Sequence, residues 1–168
     1  MTNLVPIQHG RDSAELFQNV PLPANEPVPL KLPAGSMAQI DRVVAEYHKR
    51  SLFTSHGLRN RKHLLLHGPP GCGKSLTARH LAHRTGLPMV KANMDEITAS
   101  YLGSTSRNLR VLFESLKKHA CVCLMDEMDM LALSRDDDAN DGKSKEDNRI
   151  VGSLLTFFEE YDVPGLIV

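Results

Sequence analysis

The stretch Leu64-Leu65-Leu66-His67-Gly68-Pro69-Pro70-Gly71-Cys72-Gly73-Lys74-Ser75 decides how this chain is read. Residues 68–75 match G-x-x-x-x-G-K-[S/T] in full, with an apolar run before them and a helical pattern after. The run at 63–67 reads as a buried strand that ends at Gly68. Residues 74–84 read as a helix stopped by Gly86. Between the two, glycines let backbone N–H groups curl around an anion without Cβ clashes. The start of the helix adds the positive end of its dipole. Lys74 can reach β- and γ-phosphates, and the Ser75 hydroxyl can face Mg²⁺. The candidate site for ATP or ADP is therefore Gly68, Pro69, Pro70, Gly71, Cys72, Gly73, Lys74, Ser75 and Leu76.

On either side of this loop, apolar patterns of two periods alternate. Residues 88–92 and 120–125 read as second and third strands, and 165–168 as the beginning of another. Ile40, Val43, Val44 and Tyr47 stand at i, i+3, i+4 and i+7 on one helix face, with Ser36 as its cap. Leu109, Leu112, Phe113 and Leu116 mark a further helix behind Ser104 or Thr105, and Ile150, Val151, Leu154, Leu155 and Phe158 another. Residues 57–62 form a basic turn. Strands alternating with helices predict an α/β fold, a mostly parallel sheet with helices on both faces. There is no internal repeat.

About fifty residues past the glycine loop, the apolar run Cys121-Val122-Cys123-Leu124-Met125 leads into Asp126-Glu127. Charge beside a core is costly, so acids at the end of a buried strand need a reason. In open α/β sheets the ligand lies at those strand ends. Asp126 there can hold Mg²⁺, directly or through water. Glu127 can orient and deprotonate an attacking water, because phosphoryl transfer depends more on positioning than on covalent chemistry. The paired acids count against a small-molecule kinase built on the same loop.

The first ~35 residues differ from the rest: six of the ten prolines lie there, at 6, 21, 23, 27, 29 and 33. Residues 1–35 read as an extended arm or linker, whose Leu4, Val5, Leu16 and Phe17 could dock on another surface, and 36–168 as the nucleotide-binding domain. The segment 135–149 carries six acids and four bases with few apolar residues. It reads as a solvated loop, either plain surface or a binding element. Lys+Arg and Asp+Glu both number 20, a net charge of +0, which argues against nucleic acid or an anionic membrane as partner. Three cysteines suggest a reducing compartment, so a cytoplasmic protein is expected. Cys121 and Cys123 share one face of a strand and read as core, while Cys72 sits in the glycine loop. His63 with His67 and His80 with His83 lack a Cys or acid at ligand spacing, and read as surface or half-buried histidines.

Together these residues resemble the AAA family of ATPases, within the AAA+ group, from about Gln39 to Val168. Residues 64–75 are similar to the family's first strand and Walker A loop, and 121–129 to its Walker B strand with paired acids. Ser100-Tyr101-Leu102-Gly103 stands where the family carries its aromatic–hydrophobic–glycine pore loop, with Ser104 where an acid is common. Residues 107–113 and 149–156 resemble the helices that follow. The resemblance implies strand order 5-1-4-3-2, Glu127 as catalytic base, and Ser75 and Asp126 at the metal. It also implies a ring, usually hexameric, that remodels protein substrates, with Tyr101, Leu102 and Gly103 gripping a threaded polypeptide. The family's sensor asparagine, arginine fingers, fifth strand and helical lid would all lie beyond Val168, so the chain reads as a truncated AAA+ large subdomain. Hydrolysis by the chain as it stands is then not expected. The alternative reading is a nucleotide-binding interaction module without turnover, signalling through the arm.

Overall fold

The computed structural model describes residues 16–23, 28–98, 105–128 and 142–168, with side chains at all of these except 98 and 142–150. The chain forms a mixed four-stranded sheet of β1 (Phe17–Val20), β2 (Met89–Ala92), β3 (Val122–Leu124) and β4 (Leu166–Ile167), in that spatial order. β2, β3 and β4 run parallel, while β1 is antiparallel to β2. Beyond β4 the backbone at His63 adds a single parallel bridge to Ile167. The Leu64 amide then donates to the Ile167 carbonyl at 2.9 Å. From this edge inward, the segments run 63, β4, β3, β2. That is the order 1-4-3-2 implied for the family's first four strands.

The pleat sorts the side chains of the strands into two layers. Val122, Leu124, Leu166 and Met89 pack under α1 (Ala34–His48) and α3 (Lys74–Thr85) with Ile40, Val43, Val44, Tyr47, Ala78 and Leu81. The opposite face holds Val90, Ala92, Cys121, Cys123 and Ile167. It is covered by α5 (Thr105–Lys118) and α6 (Gly142–Glu160) through Leu109, Leu112, Phe113, Leu116, Leu154 and Phe157. Phe113 is fully buried there, its ring 5.2 Å from Phe157 and 5.5 Å from Phe158. Two short helices complete the described residues: α2 (Arg50–Ser55) and α4 (Met94–Thr98).

Several elements differ from the sequence reading. Residues 16–20 of the arm are part of the sheet: Leu16 and Phe17 are buried with the Phe113 cluster, and the Asn93 amide donates to the Leu16 carbonyl at 3.0 Å. An edge strand tolerates flanking prolines because only one of its sides must be hydrogen-bonded. The expected buried strand at 63–67 is an extended edge carrying one bridge. Leu64 and Leu66 turn inward against the α1–α3 layer, but Leu65 faces the other way and is 91% exposed. α1 begins at Ala34 behind Pro33, not behind Ser36, since proline's fixed φ suits a helix entry. The backbone of the charged segment is helical from Gly142, ahead of the expected start. On α6 the buried stripe runs through Leu154 and Phe157, while Leu155 is 57% exposed. Among the described residues no helix is long and apolar enough to cross a membrane.

Candidate nucleotide site

The glycine loop lies between the edge at 63–67 and the start of α3. Its glycines adopt φ values that side-chain-bearing residues rarely reach: +153° at Gly68, +79° at Gly71 and +94° at Gly73. Gly73 immediately precedes α3 in a left-handed conformation. Its carbonyl accepts from the Thr77 amide at 2.8 Å and from Thr77 Oγ1 at 2.9 Å, so a buried threonine locks the loop to the first turn of the helix. At Gly68 a Cβ would lie 2.8 Å from Cys72 Sγ. The Lys74 ammonium donates to the loop's own carbonyls, 2.8 Å to Gly68 and 3.2 Å to Pro69. This holds the cation directly over the backbone turn.

β3 delivers the acids to the same place. A cleft of about 800 Å³ is lined by Gly71, Lys74, Ser75, Asp126, Glu127 and Val168, among others. The Met125 amide donates to the Val168 carbonyl at 2.8 Å, which extends the β3–β4 pairing up to the acids. Glu127 has φ +63°, the one non-glycine residue among those described in the left-handed region. A residue held in that region costs on the order of 1–3 kcal/mol, and such strain clusters at functional sites. Asp126 Oδ2 lies 3.3 Å from the Lys91 ammonium on β2. An adjoining cavity of about 480 Å³, lined by Leu32, Gln39, Ile40 and Thr77, shares Leu64, Leu66 and Lys74 with the cleft.

A nucleotide and Mg²⁺ fit this chemistry. The loop offers backbone donors, a helix start and a lysine for phosphate oxygens. Ser75 and Asp126 contribute hard oxygens of the kind Mg²⁺ prefers, both in the wall of one cleft. Every residue from 68 to 76 marked in the sequence as phosphate-binding is described, and the loop meets Asp126 and Glu127 in space. The candidate pore residues Tyr101, Leu102 and Gly103 lie outside the described residues. Thr77, Lys91 and the neighbouring Gln18 were not singled out by sequence. Their signal is purely spatial, through Gly73, Asp126 and the β1–β2 register.

Cys121 and Cys123 are buried on the Phe113 face, and burial pushes the Cys121 thiol up to about 12 and that of Cys123 well above the ordinary range. Cys72 is exposed.

A glycine-rich, left-handed loop between an extended segment and a helix, facing two acids at the end of β3, defines a P-loop nucleotide-binding fold. Residues 64–168 match the model of the ATPase family associated with various cellular activities, and the chain belongs to that AAA family. It is 38% identical over 137 residues to an uncharacterized AAA family ATPase of Sinorhizobium fredii, covering 82% of this chain and 41% of the relative. It is 36% identical over 112 residues to 26S proteasome regulatory subunit 8 of Dictyostelium discoideum, covering 66% of this chain and 28% of that protein. With the proteasome-activating nucleotidase of Pyrococcus abyssi it shares 35% identity over 115 residues, 68% of this chain and 29% of the nucleotidase. The chain thus spans less than half the length of each of these relatives.

Proposed function

We propose that this chain is the nucleotide-binding part of an ATPase that couples ATP hydrolysis to the remodelling or threading of protein substrates. The observation that carries the reading is the meeting of the left-handed glycine loop and the Asp126-Glu127 pair in one cleft. In this reading residues 68–76 bind the phosphates, with Lys74 leaving the Gly68 and Pro69 carbonyls for phosphate oxygens. The adjoining cavity at Leu32 and Ile40 takes the apolar face of the base, with Gln39 as a hydrogen-bonding neighbour. Ser75 and Asp126 hold Mg²⁺, which when bound offsets charge on the phosphate oxygens. Glu127 orients a water and accepts its proton as the water attacks the γ-phosphorus in line with the departing ADP oxygen. Glu127, with its left-handed backbone, lines that cleft.

The same reading assigns residues 1–35 to an arm, anchored by β1, and 36–168 to the nucleotide-binding domain. It assigns Tyr101, Leu102 and Gly103 to contact with a polypeptide, on the strength of the sequence resemblance. Relatives named as a proteasome subunit and a proteasome-activating nucleotidase favour a protein substrate, and the sequence resemblance favours a ring, usually hexameric. A net charge of +0 and three cysteines favour a cytoplasmic protein without nucleic acid or membrane as partner.

The test is Glu127→Gln, which keeps the shape of the side chain but cannot take up the proton. In a full-length protein carrying this domain it should retain Mg·ATP binding while phosphate release falls by roughly a hundredfold or more. Phosphate release at the wild-type rate would overturn the assignment of Glu127.

A further inference from the structure

β2 carries one charged side chain, Lys91, and the proposed mechanism gives it no task. Its position follows from the pleat. Lys91 pairs across the parallel β2–β3 ladder with Leu124, and Asp126 lies two residues further along, on the same face. Met89 and Leu124 pack on that face against the layer containing α3, the helix that the glycine loop opens. Lys91 is therefore the residue of β2 that points toward the loop side of the sheet at its C-terminal end. Its ammonium stops 3.3 Å from Asp126 Oδ2, with the two side chains 40% and 27% exposed. On its other flank Lys91 is in register with Gln18 of β1. Gln18, Lys91, Asp95, Asp126 and Glu127 line a cavity of about 130 Å³ beside the main cleft.

Three carboxylates and one ammonium share this cavity. A partly exposed ion pair contributes little to stability, so its consequence is local. It engages one oxygen of Asp126 and offsets charge that would otherwise attract a divalent cation. We propose that Lys91 is a positioning residue that holds the Asp126 carboxylate and competes with Mg²⁺ for it, setting the Mg²⁺ requirement of nucleotide binding. This rests on the reading of Asp126 as a metal-side acid. An incoming Mg²⁺ must share or displace the lysine, so the pair works as a brake on metal loading.

The experiment is calorimetric binding of ADP to the 168-residue chain with EDTA and across a Mg²⁺ titration. The variants are Lys91→Met, Lys91→Gln and the charge-conserving Lys91→Arg, each checked for a cooperative melt. The expected result is that Lys91→Met and Lys91→Gln raise the ratio of affinities with and without Mg²⁺ roughly two- to fivefold, the range of a partly exposed charge pair. Half-saturation with Mg²⁺ should move to correspondingly lower concentration, and Lys91→Arg should restore the wild-type ratio. A clear wild-type Mg²⁺ response that both neutral variants leave unmoved, or weaken, overturns the role of Lys91 alone. A wild-type chain that binds ADP with no Mg²⁺ response removes the reading of Asp126 beneath it.

Discussion

Glu127→Asn should stabilise the folded chain while removing the proposed base. Glu127 is held at φ +63° directly after Asp126, with β3 and β4 tied together just before it by the bond from the Met125 amide to the Val168 carbonyl. Asparagine enters the left-handed region several-fold more readily than most residues, because its short amide can bond to nearby backbone. A three- to fivefold preference corresponds to about 0.6–1 kcal/mol through RT ln K, about 1–4 °C in Tm for a chain of this size. Glu127→Gln is the control: it loses the charge like asparagine but keeps a long side chain with no left-handed preference. Urea and thermal melts of the three proteins, in the absence of nucleotide, separate the two effects. Asn should melt above both Gln and wild type, with Gln close to wild type. If Asn and Gln melt together, or Asn melts lower, the backbone at 127 is not strained and its geometry is no sign of function.

Gly165→Ala should be severely destabilising, because a Cβ there would lie 1.9 Å from the Cys121 carbonyl oxygen and 2.7 Å from its nitrogen. Parting β4 from β3 should cost on the order of 2–4 kcal/mol, readable as a lower urea midpoint. Phe113→Ala should cost about 3–5 kcal/mol, since a fully buried ring stacked on Phe157 leaves a cavity between α5 and α6. A loss below about 1 kcal/mol would mean that this face of the sheet is not closed as described. At pH 8 a thiol reagent should modify Cys72 quickly and leave the other two cysteines untouched until the chain unfolds. Cys72 is exposed, while burial holds Cys121 at about 12 and Cys123 well above its ordinary value, so neither supplies thiolate.

Helices with strong one-sided patterns were legible because their stripe is their packing surface. Ile40, Val43, Val44 and Tyr47 on α1, and Leu109, Leu112, Phe113 and Leu116 on α5, are all buried. α3 was legible from both ends, since the glycine loop opens it and left-handed Gly86 closes it. β1 was not legible: four residues among prolines carry no period, and their strand state comes from pairing with β2 across some seventy residues of sequence. The triple leucine misled because three apolar residues do not say how many faces are covered, and only the Leu64–Leu66 face is. On α6, Leu155 and Phe157 were both compatible with a helical stripe, and only the aromatic partners Phe113 and Tyr161 select Phe157. Within the site, spacing marked the loop and the acid pair. The left-handed Glu127 and the Lys91–Asp126 contact depend on how β3 ends and on what β2 places beside it, which no local pattern encodes.

The central claim is that nucleotide phosphates bind at residues 68–76, and the most direct measurement is the affinity of the chain for Mg·ADP with and without the Lys74 ammonium. Lys74→Ala removes the cation held 2.8 Å from the Gly68 carbonyl while leaving the glycine loop and the Thr77–Gly73 lock in place. The account predicts saturable one-to-one binding by wild type in calorimetry. For Lys74→Ala it predicts a loss of about 2 kcal/mol, roughly thirtyfold in Kd, as expected for one charge-assisted contact. Equal affinity for the two proteins, each folded by its melt, would contradict it.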